Sequence, residues 1–354
     1  MSLLILYQAV TLTAQDDPLS AANEAERSST LRRSAHVSNL RFYTKVPHPR
    51  VSPTGFTTAP MFVKSAGFRV TNVQMKTTHK IAAARWMYRA VRAGRSLLGR
   101  SDRQIAIRNG IKYDLDLAQG IDFAIYLANI YERQTRATLR ALVKPASLVL
   151  DIGANVGAHT LHLAHLVGPE GRVLAFEPTD FAYHKLIRNL KLNPGLQKRV
   201  IPFHCFLTGR DAGPVPAAVY SSWPLKNESD LHAKHLGREM GTGAAQARRL
   251  DDVLTQFPDL RVQLVKLDVD GYECDVLRGA PKLIKDVKPI FVMELAPYVL
   301  EERGTSLEEL LSYFIPNGYR FFDDGRGKAL PSSAAELRRM VSDGACINAI
   351  ARAQ

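Results

Sequence analysis

Acidic residues and glycines gather at the ends of three predicted strands, and the first group is a glycine-containing turn. The segment Asp151-Ile-Gly-Ala-Asn-Val-Gly157 follows an apolar run and precedes a helical one. Glycines have no Cβ atom and let the backbone approach a ligand closely. The acidic residue would repel a pyrophosphate but suits a ligand with an ammonium group. The alternative is a tight strand–helix turn that needs glycine only for packing.

The second group is Glu177-Pro178, which ends the next predicted strand 26 residues after Asp151. A carboxylate with two acceptor oxygens can bind both hydroxyl groups of a ribose. The alternative is a glutamate that caps the following helix. Thr179 and Asp180 are better placed for that cap, because they come directly before the helical run. We therefore expect Glu177 to bind a ribose.

The third group lies in the segment Val265-Lys-Leu-Asp-Val-Asp-Gly-Tyr-Glu273, again where a strand ends. Three carboxylates and a lysine at the rim of a sheet indicate acid–base chemistry. Asp268 comes where the buried strand ends, so it is the first candidate for a general base, followed by Asp270. A pairing with the neighbouring lysine or a helix cap is an equal alternative for Asp270 and Glu273. Glu294 ends a further strand at the same rim.

The elements that must position these groups follow an alternating pattern. Apolar strands alternate with helices, which is typical of an α/β fold with a mostly parallel sheet. The predicted strands are 115–117, 147–150, 172–176, 200–206, 262–267, 289–293, 319–322 and 347–351. The predicted helices are 78–98, 121–142, 159–167, 181–192, 250–257, one from residue 274, and 306–316. Residues 209–247 are rich in Gly, Pro, Ser and His and are predicted to form a lid or substrate loop.

Three segments in this order, D-I-G-A-N-V-G, A-F-E-P and V-K-L-D-V-D-G-Y-E-C-D-V-L-R-G-A, resemble the FkbM family of S-adenosylmethionine-dependent methyltransferases. The resemblance covers roughly residues 105–319. It implies the Rossmann-like class I methyltransferase fold, a mostly parallel seven-stranded sheet with helices on both faces and an antiparallel last strand. It also implies O-methylation of a sugar, glycolipid or polyketide hydroxyl. The sequence departs from the family at Asp270, where Glu is usual.

The resemblance further implies a site for S-adenosylmethionine. Four residues would surround its methionine part: Asp151, Gly153, Asn155 and Gly157. The ammonium group would meet the Gly153 backbone and the Asp151 carboxylate, and Glu177 would hold the ribose hydroxyls. The adenine would lie near residues 207–211, where no side chain stands out. Asn189 matches a frequent family position, although a place on a helix surface is the simpler interpretation.

Methyl transfer requires alignment of the acceptor oxygen, and the acceptor hydroxyl must lose its proton. Asp268 is the first candidate to take it, with Asp270 next. A divalent ion held by Asp268 and Glu294 is an alternative activator, and His232 or His235 is an alternative base.

No metal site is predicted. The chain has two sets of histidines at close spacing: His159, His162 and His165, and His232 and His235. Neither set has a cysteine or a further ligand nearby in sequence, so both lack the usual composition of a zinc site.

Charge and composition limit the other classes of function. The chain has 354 residues, of which 46% are hydrophobic and 23% are charged, as in globular proteins. Of the formal charge of +13, a net +11 belongs to residues 1–100 and only +2 to the rest. This distribution argues against a methyltransferase that acts on RNA or another nucleic acid. A non-catalytic domain that binds the cofactor or a partner is the remaining alternative.

The chain divides into three predicted parts. Residues 1–75 are predicted to be a disordered extension, 76–104 a basic amphipathic helix and linker, and 105–354 the methyltransferase domain. The helix either packs its apolar side on the domain or rests weakly on an anionic membrane surface. Three scattered cysteines and the lack of a long apolar run predict a cytoplasmic protein. The expected partner is a small-molecule or saccharide hydroxyl acceptor.

Overall fold

The computed structural model describes residues 77–129, 131–210, 213–226, 231–232 and 236–354, with side chains from residue 81 onward. The predicted disordered extension at 1–75 and the candidate base His235 lie outside the described residues. The described residues belong to one unit, Val73–Gln354.

The elements follow one another in three stretches. The first contains α1 (Thr77–Leu97), β1 (Arg103–Arg108), β2 (Ile111–Asp116), α2 (Gly120–Ala128) and α3 (Arg133–Leu142). The second contains β3 (Leu148–Ile152), α4 (Ala158–Val167), β4 (Arg172–Phe176), α5 (Asp180–Lys191), α6 (Pro194–Gln197), β5 (Val200–Phe203), β6 (Cys205–Leu207), β7 (Ala218–Ser222), β8 (Arg238–Gly241) and β9 (Gln246–Arg248). The third contains α7 (Leu250–Leu254), β10 (Val262–Leu267), α8 (Glu273–Arg278), a π-helix (Leu283–Val287), β11 (Ile290–Leu295), α9 (Pro297–Glu302), α10 (Leu307–Phe314), a 3₁₀ turn (Ile315–Asn317), β12 (Tyr319–Asp323), α11 (Ala334–Met340) and β13 (Ile347–Ala353).

A seven-stranded sheet forms the centre of this unit, with the strand order β12-β13-β11-β10-β3-β4-β5. Five of these strands, from β11 to β5, are parallel to one another. The last strand of the chain, β13, is antiparallel to both β11 and β12. The strand order reverses between β3 and β10, and such a switch point is where open α/β sheets bind ligands. The predicted sheet with an antiparallel last strand is confirmed.

Helices cover both faces of the sheet and bury its central strands. All five residues of β3 are buried, as expected for a strand covered on two sides. Leu148, Leu150 and Ile152 pack into the core on one face, and Val149 packs into the core on the other. Asp151 lies two residues after Val149 and faces the same side of the sheet, so its carboxyl group lies in the interior of the protein.

Most predicted elements are present, and the differences have local causes. The predicted strands 172–176 and 262–267 coincide with β4 and β10. The predicted helix 121–142 is two helices, because Asn129 and Glu132 adopt positive φ angles of 63° and 46° between them. The predicted strand 200–206 is also divided. After β5, which is the edge of the large sheet, the chain pairs instead with β9 as the separate strand β6.

The segment predicted as a loop at 209–247 contains regular structure in its described part. Strands β7 and β8 form an antiparallel hairpin, and β9 pairs with β6. The hairpin is tied to the start of α2, because the backbone N–H of Gly120 donates to the carbonyl oxygen of Trp223 at 2.8 Å. These contacts place the hairpin beside the carboxyl ends of the strands.

The basic helix α1 packs its apolar side on this unit. Tyr88 is buried and its hydroxyl group donates to Asp102 at 2.7 Å. Arg85 donates to the carbonyl oxygen of Pro224 at 3.3 Å. On the opposite side Trp86 and Leu97 are 68% and 89% exposed. Among the described helices, none combines the length and apolar character that a membrane span requires.

Candidate active site

A cavity of about 460 Å³ opens at the carboxyl ends of the central strands. The ends of β3 and β4 contribute residues 152–155 and 176–178 to its wall, and β6 contributes 205–207. The opposite wall comes from residues 268–270 after β10 and from Glu294 in β11. The hairpin β7–β8 and helix α2 close the sides. All three segments singled out in the sequence therefore meet at one cavity.

The turn after β3 depends on Gly153, whose φ angle is 80°. A Cβ atom at this position would lie 1.8 Å from the backbone oxygen of Asp268. The glycine is therefore required by the close approach of the ends of β3 and β10. Gly157 does not line the cavity: a Cβ there would lie 2.7 Å from Leu186 Cδ1, so it serves the packing of α4 on α5. Asn155 lies on the cavity wall.

Glu177 lies in the wall at the end of β4 and is buried. Its Oε2 accepts a hydrogen bond from the backbone N–H of Asn155 at 2.9 Å. Its Oε1 accepts from the backbone N–H and the hydroxyl group of Thr179, at 3.0 and 2.6 Å. Burial raises the pKa of Glu177, and these hydrogen bonds oppose the increase. Thr179 caps α5 by accepting from Ala182, so the cap does not fall to Glu177.

Asp151 is fully buried behind the wall and does not line the cavity. Its Oδ2 accepts from the hydroxyl group of Thr160 at 2.6 Å, and its Oδ1 lies 3.5 Å from Lys266 Nζ. Its carboxylate therefore faces an ammonium group of the protein itself. This arrangement differs from the expectation that Asp151 receives the ammonium group of a ligand, because the side chain of Lys266 already takes that position.

Lys266 connects the ends of β3 and β10. Its Nζ donates to the carbonyl oxygen of Gly153 at 2.9 Å and lies 3.3 Å from Asp268 Oδ2. The side chain is only 4% exposed. Burial lowers the pKa of Lys266, but the neighbouring carboxylates, Asp268 and Asp151 foremost, outweigh burial and hold the pKa above its usual range. The ammonium group of Lys266 therefore stays positively charged in the cavity wall.

The acidic groups after β10 and in β11 differ in their surroundings. Asp268, with 32% of its side chain exposed, and the carboxyl groups of Asp270 and Glu294 line the cavity. Burial and the negative charge of Asp268 raise the pKa of Asp270 well above its usual range and that of Glu294 to about 8. Glu273 lies behind the wall, where it accepts from the backbone N–H groups of Val269 and Gly271. Glu273 therefore stabilises the turn that precedes α8 and does not cap the helix.

Several lining residues were not identified from the sequence. Tyr131, Glu132 and His159 line the cavity on the side of α3 and α4, and His159 Nε2 lies 3.1 Å from Glu132 Oε2. The predicted helix 121–142 concealed Glu132, and the spacing of the histidines suggested no role for His159 other than zinc binding. The available signal was the position of His159, two residues after the last glycine of the turn.

Three residues line the part of the cavity that is expected to hold an adenine. Cys205, Phe206 and Leu207 line the cavity at the end of β6. The ring of Phe206 packs edge-on against that of Tyr272, with centroids 5.1 Å apart. This gives the cavity an apolar end, whereas the opposite end is acidic.

No group of three or more His, Cys, Asp or Glu side chains in the described ranges is arranged to hold a metal ion. The described residues include four of the five histidines at close spacing: His159, His162, His165 and His232. His232 Nε2 lies 3.1 Å from Glu302 Oε2.

A Glu294→Gln variant is expected to change the pH dependence of stability. Because burial and Asp268 raise the pKa of Glu294 from 4.5 to about 8, the folded protein binds this proton more tightly than the unfolded chain. The stabilisation that the protonated carboxyl group of Glu294 gives the folded protein is fully present below pH 4.5 and is lost as the pH rises through about 8. Between pH 5 and 9 we expect the melting temperature of the wild type to fall more steeply than that of the variant.

Differential scanning calorimetry at both pH values measures this difference, with the exposed Glu170→Gln as the matched control. Parallel curves for the wild type and Glu294→Gln would contradict the assignment. Glu273, whose pKa burial raises to about 7, contributes a slope of the same sign in both proteins.

The strand order, the antiparallel β13 and the position of the cavity define a class I methyltransferase fold. Residues 151–321 match the family model of the methyltransferase FkbM domain. This part of the chain is similar to the FkbM family of S-adenosylmethionine-dependent methyltransferases, as the resemblance of its three segments implied. S-adenosylmethionine is therefore its cofactor.

Relatives of this chain are methyltransferases. Methyltransferase sdnD of Sordaria araneosa is 27% identical over 205 residues, which cover 48% of this chain and 78% of the relative. Methyltransferase 1 of Beauveria bassiana is 30% identical over 165 residues, 42% of this chain and 64% of the relative. The hexuronic acid methyltransferase AglP of Haloferax volcanii is 24% identical over 45% of this chain and 62% of its own length. The chain thus spans less than two thirds of two of these relatives.

Among solved structures, methyltransferase FkbM of Methylobacillus flagellatus is 16% identical, with a TM-score of 0.36, and the similarity covers 63% of this chain and 46% of that one. This similarity is too weak to bear on function.

Proposed function

We propose that this protein transfers a methyl group from S-adenosylmethionine to a hydroxyl group of an uncharged small molecule or saccharide. The observation that carries the proposal is the cavity at the switch point, with the Glu177 carboxylate at one side and the acidic group of Asp268, Asp270 and Glu294 at the other. AglP, named as a hexuronic acid methyltransferase, supports the saccharide class of the acceptor but not its lack of charge.

The residues of the cavity fit the cofactor in its three parts. The Glu177 carboxylate at the end of β4 is placed to accept from the ribose hydroxyls, and the apolar end at residues 205–207 suits an adenine ring. The turn at Gly153 and Asn155, where a Cβ would collide with the opposite strand, leaves room for the methionine part. We assign its ammonium group to the carboxylate of Asp268, because Asp268 is 32% exposed in the cavity wall whereas Asp151 is fully buried behind it.

The charge of the cavity favours a neutral acceptor. Five lining residues have carboxyl groups: Glu132, Glu177, Asp268, Asp270 and Glu294. Lys266 is the one lysine or arginine among the described lining residues, and it is already paired. A carboxylate acceptor would meet uncompensated negative charge in a poorly solvated site. A hydroxyl group can find both a hydrogen-bond donor and an acceptor here, because a pKa of about 8 leaves Glu294 protonated near neutral pH whereas Glu132 remains ionised.

When bound, S-adenosylmethionine supplies an electrophilic methyl group. The protein must hold the acceptor oxygen in line with that group, and correct placement accounts for much of the acceleration. Asp268 and Asp270 are the groups that we expect to contact the acceptor hydroxyl. The hairpin β7–β8, from which Val219 to Ser221 reach the cavity, excludes water from it.

Transfer of a labelled methyl group into a fractionated cell extract tests the proposal. We expect S-adenosylmethionine labelled in its methyl group to mark a compound that keeps the label after mild alkali, because a methyl ether is stable to alkali and a methyl ester is hydrolysed. A product that releases labelled methanol would place the methyl group on a carboxylate and contradict the charge argument. Label in RNA would support the alternative of a nucleic-acid methyltransferase.

Glu177→Gln is expected to weaken the binding of S-adenosylmethionine roughly 100-fold. The variant removes a charge that would accept two ribose hydrogen bonds, each worth about 1.5–3 kcal/mol when one partner is charged. Isothermal titration calorimetry measures the dissociation constant, and Glu170→Gln is the exposed control. Unchanged affinity in Glu177→Gln would remove the ribose assignment and leave a purely structural role in the turn.

The cysteines bear on where the protein works. Cys205, Cys274 and Cys346 are free thiols. Because free thiols persist in reducing compartments, we place the protein in the cytoplasm.

A further inference from the structure

The side chains of Glu132 and His159 form a polar pair on the cavity wall. Glu132 comes directly before α3, and His159 lies in the first turn of α4. Their side chains meet on the cavity wall, with His159 Nε2 at 3.1 Å from Glu132 Oε2. His159 is buried except for 5% of its surface. A carboxylate and an imidazole in contact at a cavity wall form the usual pair of a general base and the group that orients it.

The pair is held in place by two further features. Glu132 has a φ angle of 46°, a left-handed conformation that is strained for a residue other than glycine. The ring of Tyr131 packs on the ring of His159 with centroids 5.7 Å apart. The backbone is thus strained at the point where Glu132 turns toward His159, and strain of this kind concentrates at functional sites.

The contact with Glu132 determines which ring nitrogen of His159 can accept a proton. A carboxylate is an acceptor, so His159 Nε2 must carry the proton in this hydrogen bond. Burial raises the pKa of Glu132, but the hydrogen bond and charge of His159 outweigh it and lower the pKa to about 2, so that the carboxylate stays ionised. In the neutral imidazole the lone pair then belongs to Nδ1, which has no hydrogen bond to any described residue.

The other acidic groups of the wall are less suited to take a proton. Asp268 Oδ2 is engaged by Lys266 at 3.3 Å. Burial and neighbouring charges raise the pKa values of Asp270 and Glu294, and with a pKa of about 8 Glu294 already holds a proton near neutral pH. His159 Nδ1 is not engaged by any described residue.

We propose that His159, and not Asp268, is the general base that takes the proton of the acceptor hydroxyl, and that Glu132 is its positioning residue. This inference rests on the proposed function. The acceptor oxygen forms a bond to the methyl carbon, and the carbon–sulfur bond breaks with its electron pair passing to sulfur. The hydroxyl proton moves to Nδ1, and the resulting imidazolium is stabilised by Glu132 until it releases the proton to water. The products are the methyl ether, S-adenosylhomocysteine and one proton.

A His159→Gln variant tests the proposal, because its amide can still donate to Glu132 but cannot accept a proton at neutral pH. With the labelled cofactor and the acceptor fraction that the wild type methylates, we expect kcat to fall by roughly 10²–10⁴-fold. The dissociation constant of S-adenosylhomocysteine should change by less than about threefold. His165→Gln, on the exposed side of the same helix, is the control and should match the wild type.

Two more variants separate chemistry from structure. Glu132→Gln should lower kcat about tenfold or more with little change in KM, since it removes the stabilising charge but not the base. His159→Ala should regain part of its activity when imidazole is added to the assay, which a merely structural role would not allow.

The outcomes are distinct. Retention of more than a third of the wild-type kcat by His159→Gln would overturn the inference, as would a loss confined to cofactor binding. A large loss in Asp268→Asn alone would return the role of base to Asp268. If the wild type itself methylates no compound of the extract, the proposed function fails and this inference fails with it.

Discussion

Lys266→Met is expected to lose about 3–5 kcal/mol of unfolding free energy, the usual cost of removing one partner of a buried ion pair. Methionine fills a similar volume, so the loss is electrostatic. Without the ammonium group, the fully buried Asp151 retains one hydrogen bond, from Thr160, and its Oδ1 has no partner. The carbonyl oxygen of Gly153 also loses its donor. Urea unfolding followed by circular dichroism measures the free energy.

A second substitution checks the electrostatic cause. Asp151→Asn removes the uncompensated charge, so in the Lys266→Met background it should restore part of the stability, whereas in the wild type it should destabilise. This change of sign is a coupling that a double-mutant cycle measures. Lys328→Met, at an exposed lysine, is the control and should stay within about 0.5 kcal/mol of the wild type. An equal effect of Asp151→Asn in both backgrounds would refute the role of the ion pair.

Gly153→Ala is expected to abolish measurable binding of S-adenosylmethionine and to cost about 4 kcal/mol of stability, from the strained φ angle and from overpacking together. The new Cβ would lie 1.8 Å from the backbone oxygen of Asp268. The backbone fixes the positions of both atoms, so no side-chain rotation can relieve this contact. The ends of β3 and β10 would have to separate, which would displace the donors and acceptors of the cavity wall. Titration calorimetry and thermal unfolding measure the two effects.

Gly168→Ala isolates the contribution of the backbone angle. Gly168 has a φ angle of 72° but no atom within 4 Å of a built Cβ, and it lies after α4, away from the cavity. The variant should lose about 1–2 kcal/mol and bind the cofactor normally. If Gly153→Ala were no worse than Gly168→Ala, the close approach of β3 and β10 would not matter for the site.

The sheet and the meeting of the three segments could be predicted because both follow from local patterns. Apolar strands that alternate with helices form a parallel sheet, and the carboxyl ends of its strands share one edge. Glu177 and Asp268 each end such a strand, so their place on the cavity wall required no knowledge of side-chain packing. The same reasoning predicted the carboxyl edge as the site but not the direction of each side chain.

The direction of side chains depends on contacts between distant parts of the chain. Asp151 faces Lys266, 115 residues later, and so lies behind the wall. Asn189, expected on a helix surface, is buried, where it accepts from the backbone N–H of Asp114 and donates to the carbonyl oxygen of Val156. No periodicity within a helix reveals such a bridge. Glu132 was missed for a different reason, because the left-handed residues Asn129 and Glu132 interrupt an otherwise helical pattern.

The hairpin β7–β8 has a consequence for how such enzymes diversify. It is inserted between β6 and β9, which pair with each other and not with the seven-stranded sheet. Its length can therefore change without altering the register of any strand that carries a cofactor-binding group, and longer surface insertions cost little closure entropy. Since Tyr220 and Ser221 from this hairpin contribute to the cavity wall, changes in the hairpin can reshape the cavity without altering the strands that end at Glu177 and Asp268.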